Sequence, residues 1–138
     1  MYGSLDISTS GMVAQRTRMT VIASNLANVN SLANDKGEYD PYLRKAAMFF
    51  PGDPTSGSDS GRAMGVHVAT IEVGEEPLRR AYRPGSPFAD KEGYVMVPNI
   101  NPTTEWVNAM EASRAYEANV AAAETTKSMV SQALRLLA

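Results

Sequence analysis

The last third of the chain carries an apolar pattern that favours one long helix. The pattern begins at Asn101-Pro102, where asparagine can cap a helix and proline fits the first helical position because the N–H it lacks would have no helical partner. Two rows then recur every seven residues. They are Trp106, Ser113, Val120, Lys127 and Leu134, and Ala109, Tyr116, Ala123, Val130 and Leu137. The pattern predicts a helix roughly 50 Å long at 1.5 Å per residue, suited to packing against another helix.

The first thirty residues carry a similar but narrower pattern. One row recurs at spacing seven and a second row appears only in the later half, so a second long helix is expected. The first row is Leu5, Met12, Met19 and Leu26, and the second is Ile22 and Val29. An asparagine cluster follows, and asparagine disfavours helix interiors but tolerates a left-handed exit. We therefore predict that the helix ends at Asn25, Asn28 and Asn30.

The segment between the two helices is prone to β-structure and rich in turns. Short β-prone runs at 42–50, 66–73, 78–82 and 94–97 predict hairpins. Residues 51–61 are almost wholly turn and linker residues, so we expect a mobile loop there. The sequence therefore predicts an α+β fold in three parts. These are an N-terminal helix with its Asn-rich exit (1–31), a β-rich middle (32–100) and a C-terminal helix (101–138).

The residue inventory argues against several function classes. The net charge is −2 and the basic residues are scattered, so the stripe needed to bind nucleic acid is missing. The chain has no cysteine, and His67 is its only histidine, without nearby residues at metal-ligand spacing. No phosphate-binding glycine loop or serine-nucleophile motif occurs. We predict that the chain is not an enzyme and has no catalytic, metal or cofactor site, and that it has no small-molecule substrate.

The helical rows leave more apolar surface than the short middle segment can cover. We therefore predict an assembly interface for other copies or partners. It comprises Leu5, Met12, Met19, Ile22, Leu26, Val29, Trp106, Ala109, Tyr116, Val120, Ala123, Val130, Leu134 and Leu137. An ordinary internal helix pair and a soluble adaptor or export chaperone that binds a client helix remain alternatives. A wall hydrolase would need a convergent acidic pair that the sequence does not show.

Three stretches of the chain resemble the flagellar axial proteins, the family of rod and hook subunits. Residues 6–31, DISTSGMVAQRTRMTVIASNLANVNS, resemble the N-terminal signature of that family, in which an amphipathic helix ends in an Asn-Leu-Ala-Asn segment. Residues 40–49, DPYLRKAAMF, and 82–129 narrow the resemblance to proximal-rod proteins of the basal body. Glu124 departs from the pattern, since the family often has asparagine there.

The resemblance implies a non-enzymatic structural subunit of the proximal rod, the drive shaft of the bacterial flagellum. It implies export through the flagellar type III apparatus without a cleaved signal peptide, assembly in the periplasm, and no insertion into a membrane. The helices of both termini are expected to pair as an antiparallel coiled coil and to pack against other copies and other rod proteins. Polymerisation through these helices would transmit torque, while the β-rich middle lies outside.

Overall fold

Two long antiparallel helices form the body of the protein, and the computed structural model describes the backbone of residues 2–137. The elements are α1 (Tyr2–Ala27), β1 (Lys45–Pro51), α2 (Asp59–Met64), β2 (Val66–Val73), β3 (Leu78–Tyr82), β4 (Tyr94–Pro98) and α3 (Pro102–Leu137). Gly11 lies against Asn119, whereas Asn25 reaches Glu105. Positions that rise along α1 therefore meet positions that fall along α3. The predicted α+β fold with paired terminal helices is confirmed.

The ends of both long helices are set by asparagine side chains. Asn101 Oδ1 accepts the N–H of Thr103 at 3.0 Å, and Pro102 is the first residue of α3, so the predicted start is confirmed. α1 ends at Ala27, and the Asn28 side-chain amide donates to the Ser24 carbonyl at 2.9 Å. No described residue other than glycine has a positive φ, so the expected left-handed exit is wrong. A side-chain hydrogen bond to a terminal carbonyl replaces it.

The middle of the chain forms antiparallel hairpins, as predicted. β1 pairs with β2, and β3 pairs with β4 as a separate two-stranded sheet. β1 begins at Lys45 rather than at residue 42, because the side chains just before it are committed to contacts with the helices. Val95 and Val97 on β4 are buried and anchor the second hairpin.

The segment predicted to be a mobile loop contains a short helix. Ser58 caps α2 by accepting the N–H of Gly61 at 3.1 Å, and Asp59 lies in its first turn, where a negative charge is favourable. Gly61 packs tightly on Ser56 and Asp6, which leaves no room for a side chain. Residues 59–61 thus belong to a helix docked on α1, and the mobility of 51–58 stays a prediction. No helix in the described part of the chain is long and apolar enough to cross a membrane.

Candidate assembly interface

The face of α1 that meets α3 is small and polar rather than apolar. A Cβ on Gly11 would lie 2.8 Å from Asn119 Oδ1, so only glycine allows the two helices to approach this closely. Arg18 Nη2 donates to Glu111 Oε2 at 3.4 Å, and Ala112 is fully buried. Gly11 costs about 1 kcal/mol of helix propensity relative to alanine. The close approach of the helices explains its presence at this position.

Asn25 joins three parts of the molecule at one end of this seam. Its side chain is 1% exposed. Its amide nitrogen donates to the Lys45 carbonyl at 2.8 Å and to Glu105 Oε2 at 3.3 Å. Its oxygen accepts the Lys45 N–H at 3.0 Å and the Tyr42 hydroxyl at 3.1 Å. The side chain therefore pairs with the main chain of Lys45 as a residue of a neighbouring strand would.

Glu105 completes this group, which we call the polar clasp and define as Asn25, Tyr42, Arg44 and Glu105. Arg44 donates to Glu105 Oε1 from Nε at 2.9 Å and from Nη2 at 2.6 Å, while Asn25 binds the other carboxylate oxygen. A buried carboxylate is costly unless it is paired and hydrogen-bonded, and here both oxygens have donors. The clasp thus fixes the start of β1 against both helices.

The structure places the predicted interface rows beside the seam rather than in it. The seam residues are Gly11, Arg18 and Asn25 in α1, and Glu105, Ala112 and Asn119 in α3. The next position after a seam residue is repeatedly a predicted interface residue. These residues are Met12, Met19 and Leu26 in α1, and Trp106 and Val120 in α3. Each step turns a helix by about 100°, and in an antiparallel pair the same turn leads to the same side. Both rows therefore lie on one side of the pair, and we call these five residues the helix ribbon.

The middle segment packs on the opposite side of α1. The residues before the three α1 seam positions are Ser10, Thr17 and Ser24. Ser10 Oγ accepts the Val66 N–H at 3.1 Å, and Ser24 Oγ lies 3.0 Å from the Tyr42 hydroxyl. Thr17 lines a cleft of about 510 Å³ between α1 and β2. Because the middle occupies this side, it leaves the helix ribbon uncovered.

The predicted interface residues differ in their exposure. Trp106 and Leu134 are each 62% exposed, whereas Ile22 is 5% exposed and lies inside the subunit. The side chain of Leu137 lies outside the described side chains. The remaining predicted residues are half-buried: Leu5, Met12, Met19, Leu26, Val29, Ala109, Tyr116, Val120, Ala123 and Val130.

The three asparagines of the predicted helix exit have separate roles. Asn25 lies within α1 and forms the clasp, so it does not end the helix. Asn28 lies in the turn after α1, where its oxygen accepts the Ser31 hydroxyl at 3.0 Å. Asn30 is exposed and accepts from Arg83 at 3.3 Å. Sequence reasoning missed Glu105 and Arg44, because a contact between residues 80 positions apart leaves no local pattern.

The titratable groups of the middle segment are held in turns. His67 Nδ1 lies 2.6 Å from the Gly52 carbonyl oxygen. Hydrogen bonds from the Thr55 hydroxyl and N–H lower the pKa of Asp53. The N–H of Tyr94 does the same for the pKa of Asp90, and the pKa of the Arg80 guanidinium beside it is raised mainly by its bond to Asp90. The residues that the structure describes contain no group of three metal-ligating side chains.

Comparison with known proteins matches both helices. Residues 5–31 match the family model for the flagella basal body rod protein, and residues 91–136 match that for the flagellar basal body rod FlgEFG protein C-terminal region. The flagellar basal-body rod protein FlgC of Salmonella typhimurium is 41% identical, across 95% of this chain and 93% of the relative. The chain belongs to the FlgC family. The same protein of Buchnera aphidicola is 37% identical over 95% of this chain and 93% of its own, and that of Borreliella burgdorferi 37% over 99% and 97%.

This membership confirms the resemblance found in the sequence. The chain is a structural subunit of the flagellar basal-body rod and is located in the basal body. The segments that match the two family models contain α1 and α3, which together carry the helix ribbon.

Proposed function

We propose that this chain polymerises through its helix ribbon into the proximal rod, and that the shaft so formed transmits torque. The single observation that carries the proposal is the position of the ribbon. Apolar residues of both terminal helices lie on the side of the pair that faces away from the middle segment. A surface of this kind on one subunit is suited to contact with another.

The exposure of the ribbon supports contact with other subunits. Trp106 is 62% exposed, and Met110 one turn further on is 53% exposed. Burying a large apolar side chain completely contributes about 1.5–3 kcal/mol, so one such contact is weak. Each subunit of a shaft repeats the contact with several neighbours, and linked contacts strengthen one another. A stiff assembly can therefore arise from interfaces that are individually modest.

The proposal includes other rod proteins as partners, besides further copies of this chain. It also includes delivery by the flagellar type III export apparatus, without cleavage of a signal peptide, as the family resemblance implies. A chain without cysteine has no disulfide to constrain such export. The proposed role needs neither catalysis nor a cofactor.

Charge substitutions on the ribbon test the proposal. Leu26→Asp and Trp106→Asp each place an unpaired charge where an apolar contact is expected to form. In cells that lack their own copy, both variants should be absent from purified basal bodies and should not restore swimming. The matched control is Val107→Asp, because Val107 is 45% exposed but points away from the ribbon. It should assemble.

Two results would contradict the proposal. One is normal incorporation of Trp106→Asp, whose exposed position leaves the fold intact, as circular dichroism would verify. The other is a stable one-to-one complex with a client helix together with absence of the wild-type chain from basal bodies. That second result would favour the adaptor or export chaperone.

A further inference from the structure

We infer that neighbouring copies of this chain join side by side through opposite charges, with the outer edge of α1 on one copy against the outer edge of α3 on the next. This inference rests on the proposed assembly and adds which edges meet. We define the α1 edge as Thr9, Val13, Arg16 and Thr20, and the α3 edge as Met110, Glu117 and Glu124. Both edges point away from the seam between the helices.

The α1 edge is exposed and carries one unpaired cation. Its four residues follow one another at spacings of three or four, so they share a face of the helix. Thr9 and Thr20 lie two positions from the seam residues Gly11 and Arg18, which puts this face on the far side of α1. Val13 is 60% exposed. Within the described residues, the Arg16 guanidinium has neither an ion pair nor a hydrogen bond.

The α3 edge is exposed and carries two unpaired anions. Its residues recur at or near spacing seven, so they form one stripe. Met110 is 53% exposed. The Glu117 carboxylate accepts only from the Ser113 hydroxyl, at 3.3 Å, and the Glu124 carboxylate has no partner among the described residues. The exposed cations Arg114 and Lys127 lie on the flanks of the stripe rather than within it.

Charge decides which edges can meet. Two α1 edges would bring Arg16 against Arg16, and two α3 edges would oppose the glutamates of both copies. Only an α1 edge against an α3 edge pairs opposite charges, and like charges at an interface are strongly unfavourable. The subunit already uses this combination internally, because Arg18 of α1 pairs with Glu111 of α3 at 3.4 Å. The next copy's α3 would thus bind the outer edge of α1 as the subunit's own α3 binds the inner face.

The heights of the charged groups fit this arrangement. Contacting positions of α1 and α3 sum to about 130, so Arg16 is level with residue 114 of its own α3. In a copy at the same height, Glu117 would lie within one helical turn of Arg16. A shift of roughly 15 Å along the axis would bring Glu124 there instead. Because the two edges are different surfaces, the contact repeats from copy to copy as a ring or a helix.

A charge exchange tests the inference in cells that lack their own copy. Arg16→Glu alone, and Glu117→Arg with Glu124→Arg, should each reduce the amount of chain in purified basal bodies at least tenfold. Expressed together, the two variants should restore assembly, because each new charge finds its opposite on the other chain. One chain carrying all three substitutions should also assemble. Arg114→Glu, on the flank of the stripe, is the control and should assemble normally.

The outcomes separate this inference from the proposed function. If Arg16→Glu alone assembles at the wild-type level, or if neither the mixture nor the triple variant recovers, the edge contact is wrong. If ribbon variants such as Trp106→Asp also assemble normally, the proposed function fails as well. Unchanged circular dichroism and melting temperatures of the edge variants would exclude misfolding as the cause of lost assembly.

Discussion

Replacing Asn25 with alanine should destabilise the subunit by about 2–3 kcal/mol. The substitution removes four hydrogen bonds, to the Lys45 N–H and carbonyl, the Tyr42 hydroxyl and Glu105. A net hydrogen bond contributes about 1 kcal/mol, and an unsatisfied buried partner adds a cost. Three of the four bonds are only partly buried, so water can replace some of them and the loss is less than the full sum.

Urea unfolding followed by circular dichroism gives the free energy of unfolding by linear extrapolation. Asn28→Ala is the matched control, because Asn28 also forms two side-chain hydrogen bonds but lies in the turn after α1. We expect it to cost about 1 kcal/mol. Asn25→Asp keeps the shape of the side chain but places a second carboxylate beside Glu105, so it should be at least as destabilising as alanine. The reasoning is refuted if Asn25→Ala is no more destabilising than Asn28→Ala.

Three further substitutions test other contacts. Gly11→Leu should cost about 1–3 kcal/mol, because its side chain would take the space of Asn119; adding Asn119→Ala should recover part of the melting temperature, and no recovery would contradict the close approach. Asn101→Ala should cost about 1 kcal/mol in urea unfolding through loss of the cap of α3. The pKa of Asp90 is lowered mainly by the Tyr94 N–H, so its stabilisation is present above the unfolded pKa of about 3.9 and is lost as pH falls through the lower folded pKa. Hydrogen exchange at Tyr94 should therefore accelerate in that acid range in the wild type but not in Asp90→Asn.

Much of the fold could be predicted because its signals are local. The Asn101-Pro102 start and the rows at spacing seven specify α3 without any tertiary information, and the structure agrees. The strand segments were found within a few residues because their β-prone runs are bounded by turn residues. The rows also indicated which helix faces lie near each other, since spacing along a helix determines direction around it.

The details of the helix contact could not be predicted in the same way. Apolar rows suggested an apolar seam, but the seam contains Gly11, Arg18 and Asn25, and the apolar rows lie beside it. Asn25 has the composition of a helix terminator, and only the tertiary contact with Glu105 shows that it is an anchor. α2 was missed because Ser58 and Asp59 look like ordinary loop residues until they pack on α1.

The way in which Asn25 holds β1 leaves one neighbouring position open to chemistry. Both of its bonds to Lys45 involve the main chain, and the Lys45 ammonium group itself only sits 5.4 Å from the centre of the Tyr42 ring. Any residue except proline can therefore occupy position 45 and keep both bonds. A cysteine there would be the sole thiol in the molecule. A fluorophore attached to it would report the rotation of a rod from a point rigidly tied to both of its long helices.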